Sequence, residues 1–493
     1  MDLASIAGFN RWLHALWQLE CPLGTTIWRD WQRPLCSWHV AESTTIPGIR
    51  VYHDLLALRS CPSILTYLQE TLQRMRRPSK DSSNKLSAES QRLSSISQAI
   101  VQSASRVEER TWERQLDAQL QKLLKTNHQE SIDAALNALF KDDLAAYDVL
   151  MDGVEAVSES STMVEQANDG AEVTWQALLV AAPILAWTRF SIGSGTIPAE
   201  LLTTLSAHFS AHLLAEGTQM AMAPTLYAID QLPRTHAETY GLTHKLAQAA
   251  YKGTSVKPAV RTPETAPFLA DTRYLLVALV APVGAPLFRW QEPQHQIDFE
   301  KERTNALEAW RGQATSNVAR LLPGCGVELL LPEAYYVACR EADKAIRPVS
   351  IRAAVHYLTN TLDVEASDLR AVVAGFGEEA ADGQIDEYRV GFTLRQSAEV
   401  VYGIVWPLYG QEDEEGTPME GPAGGLLPAP LSPINEITAH LNEAGVTHIK
   451  RINEVYVAEY CDDCGSPLFA DPTGELVHAE MPEDTPAGSE HFH

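Results

Sequence analysis

From Leu86 to Glu159 the apolar positions recur every three to four residues. Leu93, Ile96, Ile100 and Val107 are followed by Leu116, Leu120, Leu123 and Leu124, with Asp133–Phe140 and Ala145–Val157 continuing the pattern. That period predicts helices. The opposite faces carry Glu108, Glu109, Arg110, Glu113, Arg114 and Lys122, as solvated helix surfaces do. A helical hairpin or small bundle, packed against the downstream part of the chain, is the expectation. Trp112 reads as a side chain packed across a neighbouring helix.

After Gly170 the period changes. Thr174–Trp187 is a nearly continuous apolar run, as in a strand buried on both faces. Pro198–Glu216 has helical spacing, Met220–Ile229 reads as a second strand, and Thr235–Tyr251 as a second helix opened by a capping box, Thr235-His-Ala-Glu238. The same order then recurs: strand Arg273–Leu287, helix Phe299–Leu322, strand Val327–Ala338, helix Glu341–Leu362. Ala177-Leu-Leu-Val-Ala-Ala-Pro183 in the first unit resembles Tyr274-Leu-Leu-Val-Ala-Leu-Val-Ala-Pro282 in the second. The pattern predicts an α/β (α+β) fold with a duplicated β-α-β-α core. Leu369–Phe376, Ile385–Leu394 and Glu399–Pro407 read as antiparallel strands, Pro433–Gly445 as a helix and Ile449–Glu459 as a further strand. The expected divisions are 75–170 (helical region), 171–265 and 266–410 (α/β units, the second with added strands), 411–432 (acidic loop) and 433–493 (helix, strand and knuckle tail).

Composition sets residues 1–74 apart. They hold five of the eleven Trp and three of the seven Cys, have no Lys and carry no net charge. The whole net charge of −26 therefore falls on the rest. The segment reads as translated upstream sequence or a disordered extension, with Met75 the natural start, rather than as a small Trp-rich domain. So acidic a chain repels phosphate backbones and anionic membrane faces. The expected partners are a small molecule or a protein, with room for a homo-oligomer. No apolar run reaches the length of a spanning helix, and residues 1–8 lack the positive charge of a secretory signal. The expected compartment is a reducing cytoplasm, with thiols free or metal-bound.

The sharpest chemical pattern is at the end. Cys461-Asp-Asp-Cys464-Gly465 presents two thiolates two residues apart, with a glycine that lets backbone amides turn toward the sulfurs. Ser466–Val477 reads as a hairpin turning at Asp471-Pro-Thr-Gly474, which returns His478 to the knuckle. His491 or His493 can supply a fourth ligand to a structural Zn²⁺. A metal-free pair and a redox CxxC are the other readings. The redox one needs Cys461 at a helix N-terminus, where Gly465-Ser-Pro467 blocks a helix.

A second candidate lies at a strand end entering a helix. Arg189, Asp230, Arg234 and His236 could bind an anionic ligand there; Arg273 and Arg289 could face the same cleft. The plainer reading pairs Arg234 with Asp230 on the surface. His208 and His212 stand four apart without the Glu of a zinc-protease helix. Cys325 and Cys339 read as buried thiols. No Walker loop, dinucleotide fingerprint, nucleophile elbow or kinase set is present.

Several stretches together resemble a known bacterial family, domain of unknown function 2863. They are Ser105-Arg-Val-Glu-Glu-Arg-Thr-Trp-Glu-Arg-Gln-Leu116, Ala181-Ala-Pro-Ile-Leu-Ala-Trp-Thr-Arg189, Ile229-Asp-Gln-Leu-Pro-Arg-Thr-His236, Ala270-Asp-Thr-Arg-Tyr274, Pro286-Leu-Phe-Arg-Trp-Gln-Glu292 and the tail from Cys461. The resemblance spans about residues 86–493, leaves out 1–74 and implies no activity. The expected function is that of a cytoplasmic binding or regulatory protein with a zinc knuckle. The alternative is an enzyme acting on a small anionic metabolite at the strand-end cleft.

Overall fold

The computed structural model of the protein describes residues 86–166, 172–258, 268–293, 298–377, 385–409, 431–462 and 464–481. The Trp-rich segment 1–74, residues 411–430 of the acidic loop, and His491 and His493 lie outside the described residues.

Four helices open the described chain: α1 (Ala88–Val101), α2 (Arg106–Lys125), α3 (Gln129–Asp142) and α4 (Leu144–Glu159). Each start has a local cause where a side-chain oxygen takes an orphan amide. Ser87 Oγ accepts from Ser90 N, Ser105 Oγ from Glu108 N and Asp143 Oδ1 from Ala146 N. Leu93, Leu120, Ile132, Leu150 and Val154 meet in one core, as the helical spacing requires. Gly153 lets α4 approach Leu116 of α2 closely.

Two long strands form the centre of the next layer. β2 (Glu172–Trp187) and β6 (Ala270–Pro282) pair antiparallel, Leu178 opposite Leu279 and Ile184 opposite Arg273. A hairpin partner, β1 (Ser160–Gln166), lies along the first part of β2. The short strands pair reciprocally. β4 (Gln219–Met222) and β5 (Thr225–Ala228) come after β2 in the chain but pair with β6, and β3 (Gly195–Thr196) lies outside β5. β7 (Gly326–Leu329) and β8 (Glu333–Ala334) come after β6 but pair with β2.

Helices cover both faces, so β2 and β6 are apolar on both sides. Val180, Ala182, Ile184, Leu275, Val277 and Leu279 face α5 (Ala199–Leu213) and α7 (Phe299–Leu321). Leu179, Ala181, Tyr274, Leu276 and Ala278 face α6 (His236–Lys252) and α8 (Tyr335–Leu362).

Two expected strands differ from the pattern. Met220–Ile229 and Val327–Ala338 each divide, at Ala223-Pro224 and at Leu330-Leu-Pro332. A proline has no amide to give a ladder. α8 also begins six residues before Glu341, because Glu159 Oε2 accepts from Tyr336 N and so satisfies its first turn.

α8 is 28 residues long and contains Pro348. Proline deprives the Lys344 carbonyl of its helical donor. Arg347 Nε lies 3.4 Å from that carbonyl and donates to it. The first half of α8 packs on the large sheet. The second half, with Ile351, Val355 and Leu358, packs on a second sheet. That sheet has the order β11 (Val400–Pro407), β10 (Glu387–Leu394), β9 (Leu369–Gly377), β12 (His448–Val457). β9, β10 and β11 are antiparallel as expected, whereas β12 returns parallel to β9 after α9 (Pro433–Glu443). The far face of this sheet carries the C-terminal tail, with β13 (Phe469–Ala470) and β14 (Leu476–Val477). Among the described residues no helix is long and apolar enough to cross a membrane.

Candidate metal centre

The knuckle is the tip of a narrow hairpin that leaves β12. Ala458 N donates to Gly377 O, and Leu468 N to Glu459 O. Tyr460 and Pro467 form a bridge, and Cys461 N donates to Ser466 O at 2.8 Å. Gly465 then turns with φ +73°, a conformation glycine adopts without strain, and its N–H donates to Cys461 O at 2.8 Å. No helix begins at Cys461, so the setting that activates a redox CxxC is lacking there.

The second hairpin returns the imidazole. Asp471 Oδ1 accepts from the amides of Thr473, Gly474 and Glu475 and from Thr473 Oγ1, at 2.7–2.9 Å. Burial alone would push the Asp471 carboxyl up; these bonds outweigh it and hold it below its ordinary value. β12 anchors the turn, since Tyr456 Oη donates to Gly474 O and Lys450 Nζ to Pro472 O. β14 then delivers His478, whose Nε2 is 3.1 Å from Cys464 Sγ.

One donor atom from each of Cys461, Cys464 and His478 lies within 4.8 Å of the other two. A tetrahedron with bonds of about 2.0–2.3 Å has edges of about 3.3–3.8 Å, so this spacing fits a metal ion. Cys464 is exposed, and Cys461 and His478 are half-buried. The Cys464 thiol is brought down to about 7 by hydrogen bonding from the Ser466 side chain and backbone, against partial burial, with His478 and Cys461 adding to the effect. Glu480 Oε1 lies 3.3 Å from His478 Nδ1. A carboxylate there suits a ligand that coordinates through Nε2. The expected fourth ligands, His491 and His493, belong to the undescribed residues.

Of the strand-end candidates, Asp230 and Arg234 are in contact. Arg189 is exposed, its guanidinium over the Phe190 ring. Arg234 is exposed and donates to the Asp230 carbonyl at 3.2 Å, so these two are neighbours. Asp230 Oδ1 is buried without a hydrogen-bond partner, and burial, with Asp271 nearby, raises its carboxyl. His236 turns toward the helical bundle, with Nδ1 3.1 Å from Gln129 Nε2 and its ring beside Tyr336. Gln129 Oε1 also accepts from Ala237 N, so α3 caps α6 across the seam. The capping box of Thr235 and Glu238 is present.

Two arginines are buried: Arg273, expected from the sequence to face the strand-end cleft, and Arg389, which sequence patterns alone missed. Arg273 donates to Gly193 O, Ile192 O and Thr272 O at 2.7–2.8 Å and to the Asp271 carboxylate, so it holds the loop after β2. Arg389 does the same for the tail. The available signal was a lone cation in each of two apolar strands, Thr272-Arg-Tyr-Leu and Tyr388-Arg-Val-Gly-Phe.

No curated protein matches the chain, and no solved structure does. One family model matches over residues 78–492, under the description Protein of unknown function (DUF2863). With most of its length covered, and the Cys/His centre within the match, the chain belongs to that family.

Proposed function

We propose that the protein is a cytoplasmic binding or regulatory protein whose C-terminal tail is held by a structural zinc ion. One observation carries this reading, the convergence of Cys461, Cys464 and His478 on one point from two hairpins. Two sulfurs and an imidazole make a soft, borderline donor set, which favours Zn²⁺ over hard cations such as Mg²⁺ or Ca²⁺. His491 or His493 would complete the tetrahedron, leaving no open position for water and hence no hydrolytic role. Thiolate ligation suits a reducing compartment, and the four described cysteines are all free thiols.

The partner in this reading is a small molecule or a protein. The alternative is an enzyme acting on a small anionic metabolite at Arg189, Asp230, Arg234 and His236; Arg234 and Asp230 are in contact there, while Arg273 spends its donors within the fold. The reciprocal pairing of the short strands, each unit's on the other unit's long strand, supports an internal duplication.

Elemental analysis of the full chain, purified under reducing conditions without added metal, tests the proposal. About one zinc per chain is expected. Metal-free protein that also fails to take up zinc on titration overturns it.

A further inference from the structure

We propose that the tail is a metal-dependent clasp on the second sheet, and that Arg389 is the positioning residue that couples the knuckle to that sheet. The inference rests on the knuckle holding a metal and adds what metal occupancy controls.

Arg389 lies on β10 with its side chain fully buried. Its Nε donates to Glu387 Oε1 at 2.7 Å, and its Nη1 donates to both Glu459 O and Leu468 O, each at 2.7 Å. Those carbonyls belong to opposite strands of the knuckle hairpin, joined there by Leu468 N to Glu459 O. They stand side by side only while that hairpin is closed. The guanidinium lies over the rings of Phe376, from β9, and Tyr460, next to Cys461, at 4.3 and 5.1 Å from their centres. One cation thus reads the closed state of the hairpin from inside the sheet. Metal binding at the tip favours the same closed state.

The sheet is shaped to receive the tail. Gly391 and Gly403 are paired across β10 and β11. A Cβ on Gly403 would overlap the Phe469 ring, and one on Gly391 would meet Ala470 O at 3.1 Å. Bare backbone at both positions lets Phe469 and Ala470 lie directly on the strands, and Ala470 completes a small core with Val372, Ala374 and Phe376. Without the tail, that apolar strip would face water and Arg389 would lose its two carbonyl acceptors. Docking and metal binding therefore favour each other, by the same factor in both directions.

The test uses the full chain and zinc alone as the probe. Zinc affinity is measured by competition with a chromophoric chelator for wild type, Arg389→Gln and Gly403→Ala, with Leu205→Ala as a control that weakens the distant first core. Amide exchange of wild type is followed with and without chelator. Both tail variants should raise the zinc dissociation constant about 10- to 100-fold, while Leu205→Ala leaves it unchanged. Zinc removal should lower protection of β9 and β10 at least about tenfold, sparing β2 and β6. If wild type binds zinc but both tail variants bind it equally well, or the second sheet is equally protected in both states, the clasp is refuted and the metal site stands. If wild type binds no zinc, the metal reading itself fails. Should Arg389→Gln not fold, Gly403→Ala and the wild-type exchange decide.

Discussion

His236 and Glu159 titrate in opposite senses for the same reason, loss of water around the charged form. Burial brings the His236 imidazole down to about 4, below the 6.5 of a free histidine. Unfolding then takes up a proton between pH 6.5 and 4, so this residue's contribution to stability is full above pH 6.5 and lost as pH falls toward 4. Burial pushes the Glu159 carboxyl up to about 7, although it accepts from Tyr336 N. Here the folded form holds the extra proton, so the contribution is full below about pH 4.5 and lost as pH rises through 7. Glu159→Gln keeps an acceptor for the α8 amide without the buried charge. It should stabilise the chain by about 1–2 kcal/mol at pH 8 and by nothing at pH 4.5. His236→Gln should flatten the loss of stability between pH 6.5 and 4. Urea unfolding across pH checks both, and an unchanged pH profile in either variant would contradict the burial argument for that residue.

At the scale of elements, close approach between backbone and aromatic rings positions strands. Gly326 in β7 lies against the Trp187 ring at the end of β2, where a Cβ would overlap the indole. Gly326→Ala should therefore cost about 1–3 kcal/mol through displacement of Trp187, read as a lower urea midpoint with an unchanged slope. A change within about 0.5 kcal/mol would show that the β2–β7 edge yields easily. Such contacts join residues far apart in the chain, which also explains what the sequence left hidden. The spacing of Leu116, Leu120 and Leu124 marks a helix because its cause is local. So does the Thr235–Glu238 box. The early start of α8 was not legible, because its cap, Glu159, lies far back in the chain. The prolines that divide the short strands were visible at Pro224 and Pro332, but long apolar runs masked them. Cys461, Cys464 and His478 were legible because a two-residue spacing and one short hairpin bring them together. Arg389 was not, because its partners are backbone carbonyls of a distant segment.

For the whole molecule, α8 is the spine that carries both sheets, and the tail closes the outer face of the second. The centre at its tip brings three donor side chains together, and their register is set by hydrogen bonds at Asp471, Gly465 and Ser466. Native mass spectrometry of the full chain beside Cys461→Ser and His478→Ala tests this most directly. The account predicts one zinc ion per wild-type chain, retained after desalting at neutral pH and lost from both variants. Wild-type chain without metal, or a Cys461→Ser chain that still carries one zinc, would contradict it.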